Sequence, residues 1–404
     1  MNILYIAYSC KPNKGSEEKI GWNVPLESAK TNQVIVVTKE EHREVIEQYV
    51  AEHKIENPKF YFVDIPSIYK KVLKGSAYSA RLNIWHKRAF PVVKEICNNE
   101  KVDIIHQITP IEFRSIGAYY KISNTRFVCG PLGGGENIPR GLKGYALRNI
   151  HVEAAHSALN FIYKLKYKIT KQLSGCDYFL FANRETQFCL KNLIGNTANE
   201  LYFDNGVSDE DLSDIKQKER SLSGKTVFLV AGRMAYRKGH RFLLDVIKQL
   251  PKDINCEFRF VGDGPECKRL KRICEKYKLN GRVVFTGRIT FEEMAEEYCK
   301  ADVFIMPSIR ETTGAVLMEA AANFVPVIAI NRFGASVLYD NDSAYLYEGE
   351  NKSGYINALK NVVLKCVGSS DEICAKAQNA RKIVESHTWQ NKVRKYNVIY
   401  NRLG

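Results

Sequence analysis

Short apolar runs rich in Val, Ile, Leu and Phe recur at 2–8, 33–38, 59–63, 102–106, 126–130, 178–181 and 201–203, and again at 226–231, 257–261, 283–286, 303–306, 327–330 and 344–346. Each is too short for a helix of its own and nearly continuous in its apolarity, the mark of a strand buried on both faces. Between the runs the apolar positions fall at helical spacing. Strands alternating with helices predict parallel sheets covered on both sides, and two such series predict an α/β chain of two doubly wound, Rossmann-like domains. The turn dipeptide Asn205-Gly206 and the polar stretch 208–225 separate the series. Domains are therefore expected at 1–205 and 206–385, with a linker and a cleft between them. The tail 386–404 places Trp389, Val393, Tyr396, Ile399 and Tyr400 at helical spacing and reads as a packing helix.

Composition removes several classes. The 404 residues are 45% hydrophobic and 26% charged, which excludes disordered and low-complexity architectures. No apolar run reaches the ~18–20 residues of a membrane span, and the first residues lack a signal-peptide pattern, so a cytoplasmic location is expected. The eleven cysteines are scattered without a Cys-x-x-Cys pair, which favours reduced thiols over disulfides or zinc. The net charge of +15 matters through its placement. Fourteen of the basic residues fall in 66–94 and 139–171, against the single acid Glu153. Tyr69, Tyr78, Trp85, Phe90, Tyr145, Phe161, Tyr163 and Tyr167 interleave with them, a composition suited to an anionic membrane surface or a single-strand nucleic-acid groove.

Ligands of open parallel sheets bind beyond the carboxyl ends of the strands, so the residues just after each run carry the chemistry. After 226–231 come Gly232, Arg233, Arg237, Lys238 and Gly239, with a helix expected from His240. Cations beside a helix start make an anion site fit for a diphosphate. After 257–261 comes Gly262-Asp263-Gly264-Pro265-Glu266, a tight turn with Pro265 at the expected first helical position. The run 283–286 leads into Gly287-Arg288, where main-chain groups can meet a base edge. After 303–306 a loop carries Glu311, and an apolar helix is expected from Thr313, through Gly314, to Glu319. A carboxylate on so apolar a helix needs a partner, and ribose hydroxyls supply one.

Gly232-Arg233 with Arg237-Lys238-Gly239, then Gly262-Asp263-Gly264-Pro265-Glu266, then Glu311-x7-Glu319, then Pro326-Val327-Ile328-Ala329 resemble, in this order, the family 4 glycosyltransferases of the GT-B fold. The resemblance implies a retaining, metal-independent enzyme that takes a nucleoside diphosphate sugar, with UDP as the expected base carrier, and a C-terminal helix that packs back onto the first domain. It implies that Arg233 and Lys238 bind the diphosphate, that Glu311 contacts the transferred sugar and that Glu319 binds ribose. Gly232, Gly287, Arg288, Thr312, Thr313 and Gly314 complete the expected donor site, together with Gly15 and Ser16 of the loop after the first run. That loop, with His106-Gln107-Ile108-Thr109-Pro110 and Gly130-Pro131-Leu132-Gly133-Gly134-Gly135-Glu136, is similar to a bacterial subgroup of surface-polysaccharide assembly. Pro131 stands where many members carry a donor-contacting His. The amides of Gly133, Gly134 and Gly135, Glu136 or His106 are candidates to replace it.

The function expected is transfer of a hexose to a lipid-linked or growing saccharide, peripherally on the inner face of the plasma membrane, docked through 66–94 and 139–171. No cofactor, metal or nucleic acid is expected, because the cationic loop takes the place of a divalent cation. The alternatives are an inactive carbohydrate-binding member of the family and a basic nucleic-acid-binding protein. A nicotinamide-dependent oxidoreductase is disfavoured, since no strand opens into Gly-x-Gly-x-x-Gly.

Overall fold

The apolar runs form thirteen strands in two wholly parallel sheets of a computed structural model, which describes the chain except residues 13, 14, 16, 74 and 214–223 and the side chains of 76, 211, 213 and 291. In the first sheet these are β1 (Asn2–Ala7), β2 (Gln33–Lys39), β3 (Lys59–Val63), β4 (Ile104–Thr109), β5 (Arg126–Leu132), β6 (Tyr178–Phe181) and β7 (Ala198–Leu201). The second holds β8 (Thr226–Ala231), β9 (Cys256–Val261), β10 (Val283–Gly287), β11 (Val303–Met306), β12 (Val327–Ile330) and β13 (Ala344–Tyr347). Strand orders are β3-β2-β1-β4-β5-β6-β7 and β10-β9-β8-β11-β12-β13. In both sheets the winding direction reverses beside the first strand, between β1 and β4 and between β8 and β11. At such a switch point the two flanking loops part and leave a crevice.

Strand β7 lies three residues before the expected run 201–203. It is an edge strand, paired only to β6, and its Ala-Asn-Glu-Leu sequence has no apolar signature because one side is wet. The apolar Tyr202 and Phe203 that suggested the later position are buried beyond its end, where Tyr202 stacks on Tyr396 with ring centroids 4.7 Å apart.

The chain divides into two units, Met1–Gly135 with Ala154–Gly206 and His387–Gly404, and Glu136–Glu153 with Val207–Ser386. The C-terminal helix Trp389–Leu403 thus belongs with the first sheet. The segment 136–153, expected in the first domain, clusters with the second sheet instead. Its Leu142 and Ala146 sit in the second core beside Phe242, and Tyr145 donates to Asp245 at 2.9 Å.

In the first unit alternate residues of β1 face two cores. Leu4 and Ile6 pack with Trp85 and Phe179, while Ile3, Tyr5 and Ala7 pack under the helix Glu17–Ser28 and the C-terminal helix. The C-terminal helix is tied down by polar groups as well as by Tyr396 and Tyr400. His106 is fully buried at the centre of β4, with Nε2 2.7 Å from the Gly130 carbonyl and Nδ1 2.6 Å from the Tyr400 hydroxyl. A carbonyl only accepts, so Nε2 carries the proton and Nδ1 accepts from Tyr400. Burial pushes the His106 pKa down to about 4, which keeps the ring neutral. His106 is therefore a joint of the fold, and does not stand in for a donor-contacting histidine. Gly133 donates its amide to Ile111 and Gly135 to Thr186 Oγ1, so these two amides are also used inside the unit.

The aromatics expected on the basic surface are mostly core. Trp85 and Tyr167 are buried and Tyr78, Phe90 and Tyr163 pack against the first core, which leaves only Tyr69 and Phe161 of that unit's set exposed. Tyr145 packs against the second core. The charge of 66–94 is also partly neutralised, since Lys70 pairs with Asp64 at 2.6 Å and Glu41 at 3.3 Å.

Candidate functional site

The loops singled out in the second half meet at the switch point of the second sheet. The loop after β8 is bonded on one side to the loop after β9, with the Met234 amide donating to the Asp263 carbonyl at 2.9 Å and the Glu266 amide to the Met234 carbonyl at 3.0 Å. The Gly262 amide in turn donates to the Gly287 carbonyl at 2.7 Å, which attaches the end of β10. On the other side the Ile309 amide donates to the Arg237 carbonyl at 2.8 Å, which attaches the loop after β11. Gly239 makes this last approach possible: its φ is +72°, and a Cβ there would run into the Pro307 carbonyl oxygen.

At the meeting point Glu311 is nearly buried and sits between two cations. Lys238 forms a close ion pair with its Oε2, and Arg237 Nη1 lies 3.3 Å from Oε1. Ser308 Oγ and the Thr312 amide donate to the same carboxylate, each at 3.4 Å. Burial would raise the Glu311 pKa, but the Lys238 and Arg237 charges outweigh it and hold the carboxyl below its ordinary value. The group is ionised at neutral pH. Behind Lys238, His240 begins the helix His240–Ile247 and is buried, its ring centroid 5.7 Å from that of Phe260. Burial and the Lys238 charge push its pKa down to about 4, so it adds no charge.

Two further arginines follow strands of this sheet, Arg233 after β8 and Arg288 after β10. Arg233 and Arg288 are exposed, and neither side chain has a hydrogen bond or ion pair among the described residues. Arg310 is more constrained: Nη2 lies 2.9 Å from Glu153, and Tyr236 donates to the same Glu153 oxygen at 2.6 Å. Sequence reasoning missed Glu153. The signal was present, because it is the lone acid of the basic stretch 139–171.

Other expected site residues stand differently. Glu319, expected on a buried stretch, is exposed on the helix Val316–Ala322, where its Oε2 accepts from Tyr298 at 3.2 Å. That helix starts three residues later than Thr313, because Gly314 takes a φ of +87° that helices do not contain. Thr313 is buried, while Thr312 and Gly314 are half-buried in the loop. Pro265 precedes the helix Cys267–Lys276 by two residues and does not open it. Gly232 and Gly287 keep positive φ at the strand ends, +138° and +79°. Gly15 is exposed in the first unit, and Ser16 lies outside the described residues.

Two Asp-x-Asp tripeptides occur, Asp209-Glu210-Asp211 and Asp340-Asn341-Asp342. Asp340 Oδ1 is taken up in a local turn, accepting from the Asp342 and Ser343 amides at 3.1 and 3.0 Å. A metal-free site is thus expected from the cationic loop after β8 and not from a lack of Asp-x-Asp.

The chain is similar to several known proteins. Residues 211–380 match the family model described as Glycosyl transferases group 1. The sulfoquinovosyl transferase of Arabidopsis thaliana is 29% identical over 41% of this chain and 31% of its own length. An alpha-monoglucosyldiacylglycerol synthase of Streptococcus pneumoniae is 32% identical over 36% of this chain and 33% of its own length. The chain thus spans about a third of these two relatives. An uncharacterized glycosyltransferase of Methanocaldococcus jannaschii is 24% identical over 78% of this chain and 80% of its own length. The solved structure of Anabaena HepE in complex with UDP superposes with a TM-score of 0.63 at 15% identity, covering 98% of this chain and all of HepE. The chain has the GT-B fold, and its residues 211–380 are similar to the Glycosyl transferases group 1 family.

Proposed function

We propose that the protein is a retaining glycosyltransferase that moves a hexose from a nucleoside diphosphate sugar to a lipid-linked or growing saccharide. The observation that carries this reading is the nearly buried Lys238–Glu311 pair at the β8–β11 switch point, with Arg233 in the same loop as Lys238 left without a partner among the described residues. In the reaction the bond from the anomeric carbon to the diphosphate breaks and its electron pair leaves on the diphosphate. The acceptor hydroxyl oxygen makes the new bond on the face that the diphosphate leaves, and its proton passes to the departing diphosphate oxygen. Arg233, Lys238 and helix-end amides neutralise the departing charge, with no divalent metal required, and Glu311 faces the transferred sugar. Glu319 is the proposed acceptor for ribose hydroxyls. UDP is the proposed nucleotide, supported by the UDP complex of HepE, and bacterial surface polysaccharide is the proposed product class.

The membrane half of the reading has separate support. The pneumococcal relative is named for a diacylglycerol product, and no helix among the described residues is long and apolar enough to cross a bilayer. We place the enzyme peripherally on the inner face of the plasma membrane. The deciding experiment is a thermal-shift comparison of UDP, GDP, ADP and TDP. A ligand at 100-fold its dissociation constant adds ~2.7 kcal/mol of stability. A shift with UDP followed by UDP release from a UDP-sugar in the presence of EDTA supports the proposal. No shift with any of the four overturns it.

A further inference from the structure

The basic stretch 139–171 ends in a helix whose outer face is apolar. In the helix Ile150–Thr170, residues from 154 onward belong to the first unit. Its inner side is fixed by Tyr167, whose hydroxyl donates to the Phe113 carbonyl at 2.8 Å, and by Asn160, which donates to the Gly134 carbonyl at 3.1 Å. On the outer side Phe161, Ile162, Leu165 and Ile169 are exposed by 64, 56, 47 and 73%. At about 100° per residue these four span one sector of the helix. Lys164 and Lys168 border the sector on one edge, Lys171 follows just beyond the helix end, and Lys166 borders the opposite edge. Residues 154–176 contain no acid.

An apolar sector of this size facing water marks a binding surface. Its borders identify the partner. Lysines flanking an apolar stripe match a bilayer interface, where the stripe reaches the acyl boundary and the ammonium groups stay among lipid phosphates. A nucleic acid would be met through exposed aromatic rings, but here Tyr163 and Tyr167 turn inward and three of the four exposed side chains are aliphatic. A second copy of the chain would bring like charges together. We propose that residues 157–171 form a membrane-insertion face, lying in the plane of an anionic bilayer with Phe161, Ile162, Leu165 and Ile169 below the headgroups and Lys164, Lys168 and Lys171 on the phosphates. The proposal rests on the peripheral-membrane reading above and narrows it from two basic stretches to one helix face.

The test is co-sedimentation of the full chain with vesicles of phosphatidylglycerol and phosphatidylcholine, and with phosphatidylcholine alone. Replacing Phe161, Ile162, Leu165 and Ile169 by Ser should lower partitioning at least ~100-fold, and Lys164→Glu with Lys168→Glu and Lys171→Glu should lower it ~100-fold on anionic vesicles only. The UDP thermal shift, which reads the other unit, should stay unchanged in both. Phe161→Trp, a mild substitution, should have its emission quenched by lipids brominated on the acyl chain. Undiminished binding of the Ser variant, or no quenching of Trp at 161, overturns the insertion face while leaving the peripheral-membrane reading intact. No vesicle binding by the unaltered protein at low salt overturns both. Displacement from vesicles by an oligonucleotide, or a dimer that disappears in the Ser variant, would assign the face to those partners instead.

Discussion

The two sheets share one winding rule and differ in what stands at their carboxyl ends. At the switch point of the first sheet, polar groups answer one another. Gln107 accepts from the Gly117 amide at 2.8 Å and donates to the Ser115 carbonyl at 3.0 Å, Thr109 Oγ1 accepts from the Ser9 amide at 3.0 Å and donates to the Ser9 carbonyl at 3.1 Å, and Glu17 accepts from Ser9 Oγ at 3.1 Å. His106 is closed off by Gly130 and Tyr400. At the switch point of the second sheet, Arg237 and Lys238 share one carboxylate while Arg233 and Arg288 have no protein partner among the described residues. A buried polar group left over from folding costs free energy unless something else meets it. The first sheet meets that condition within the protein, whereas Arg233 and Arg288 are exposed to water at the strand ends of the second, where the proposed ligand site lies.

Acid should break this comparison most strongly. His86 and His106 are buried in the first unit with pKa values pushed down to about 3 and about 4, and His240 in the second is pushed down to about 4, all chiefly by burial. Between the ordinary value near 6.5 and these values the unfolded chain binds protons that the folded chain does not. Stability present above pH 6.5 is therefore lost as pH falls, by on the order of 3 kcal/mol for each such ring. The first unit carries more of them and should unfold at the higher pH. Its unfolding has its own reporter, because Trp22, Trp85 and Trp389 all belong to it. Tryptophan emission should change at a higher pH than the loss of nucleotide binding. The reverse order would mean that the buried rings do not govern acid stability.

Next in size is Lys238→Ala. Of its two cations Glu311 would keep only Arg237, and an ionised group so buried that loses its close partner destabilises a fold by about 3 kcal/mol. The loss should fall on the second unit, seen as a lower-denaturant transition by circular dichroism while tryptophan emission keeps its midpoint. Adding Glu311→Gln should recover part of the stability and none of the transfer activity. A single variant as stable as the original would show that the pair is held by something other than mutual charge.

Tyr400→Phe probes the satisfied side. It removes one hydroxyl from between His106 and Tyr5, which lie 2.6 and 3.3 Å away, and leaves a buried Nδ1 without a donor. The expected cost is about 1–2 kcal/mol, read by tryptophan emission, with nucleotide affinity unchanged. An equal loss in nucleotide binding would make the C-terminal helix part of the donor site.

All thirteen strands were legible because buried parallel strands leave continuous apolar runs; β4 lies two residues later than expected, and β7 three residues earlier, since its Ala-Asn-Glu-Leu sequence has no such run. The Lys238–Glu311 pair was legible as two motifs that follow neighbouring strands. Three things were hidden. Glu319 looked buried because its sequence neighbours are apolar, yet one face of even an Ala-rich helix is wet. The aromatics of 66–94 looked like surface because they sit among lysines, but helical spacing turned the rings inward and the lysines outward. The attachment of 136–153 to the second unit depends on contacts made with residues a hundred positions away, which no local pattern announces.

The smallest effect on folding separates the two regions most cleanly. Arg233 and Arg114 are both arginines in loops after strands, but Arg114 is largely buried in an ion pair with Glu112, whereas Arg233 is exposed and without a protein partner among the described residues. Arg114→Ala should lower stability, because it leaves the nearly buried Glu112 without its cation, and should leave nucleotide affinity alone. Arg233→Ala removes nothing that folding uses, so its stability should stay within ~0.5 kcal/mol of the original. If a diphosphate is what Arg233 meets, the same substitution should weaken UDP binding by ~1.5–3 kcal/mol, the range for hydrogen bonds to charged groups, and ~10–100-fold in dissociation constant. Calorimetric titration with UDP beside denaturant unfolding measures both quantities on one sample. Affinity retained in Arg233→Ala would remove Arg233 from the diphosphate site, and stability lost there would mean that the loop after β8 needs its arginine to fold.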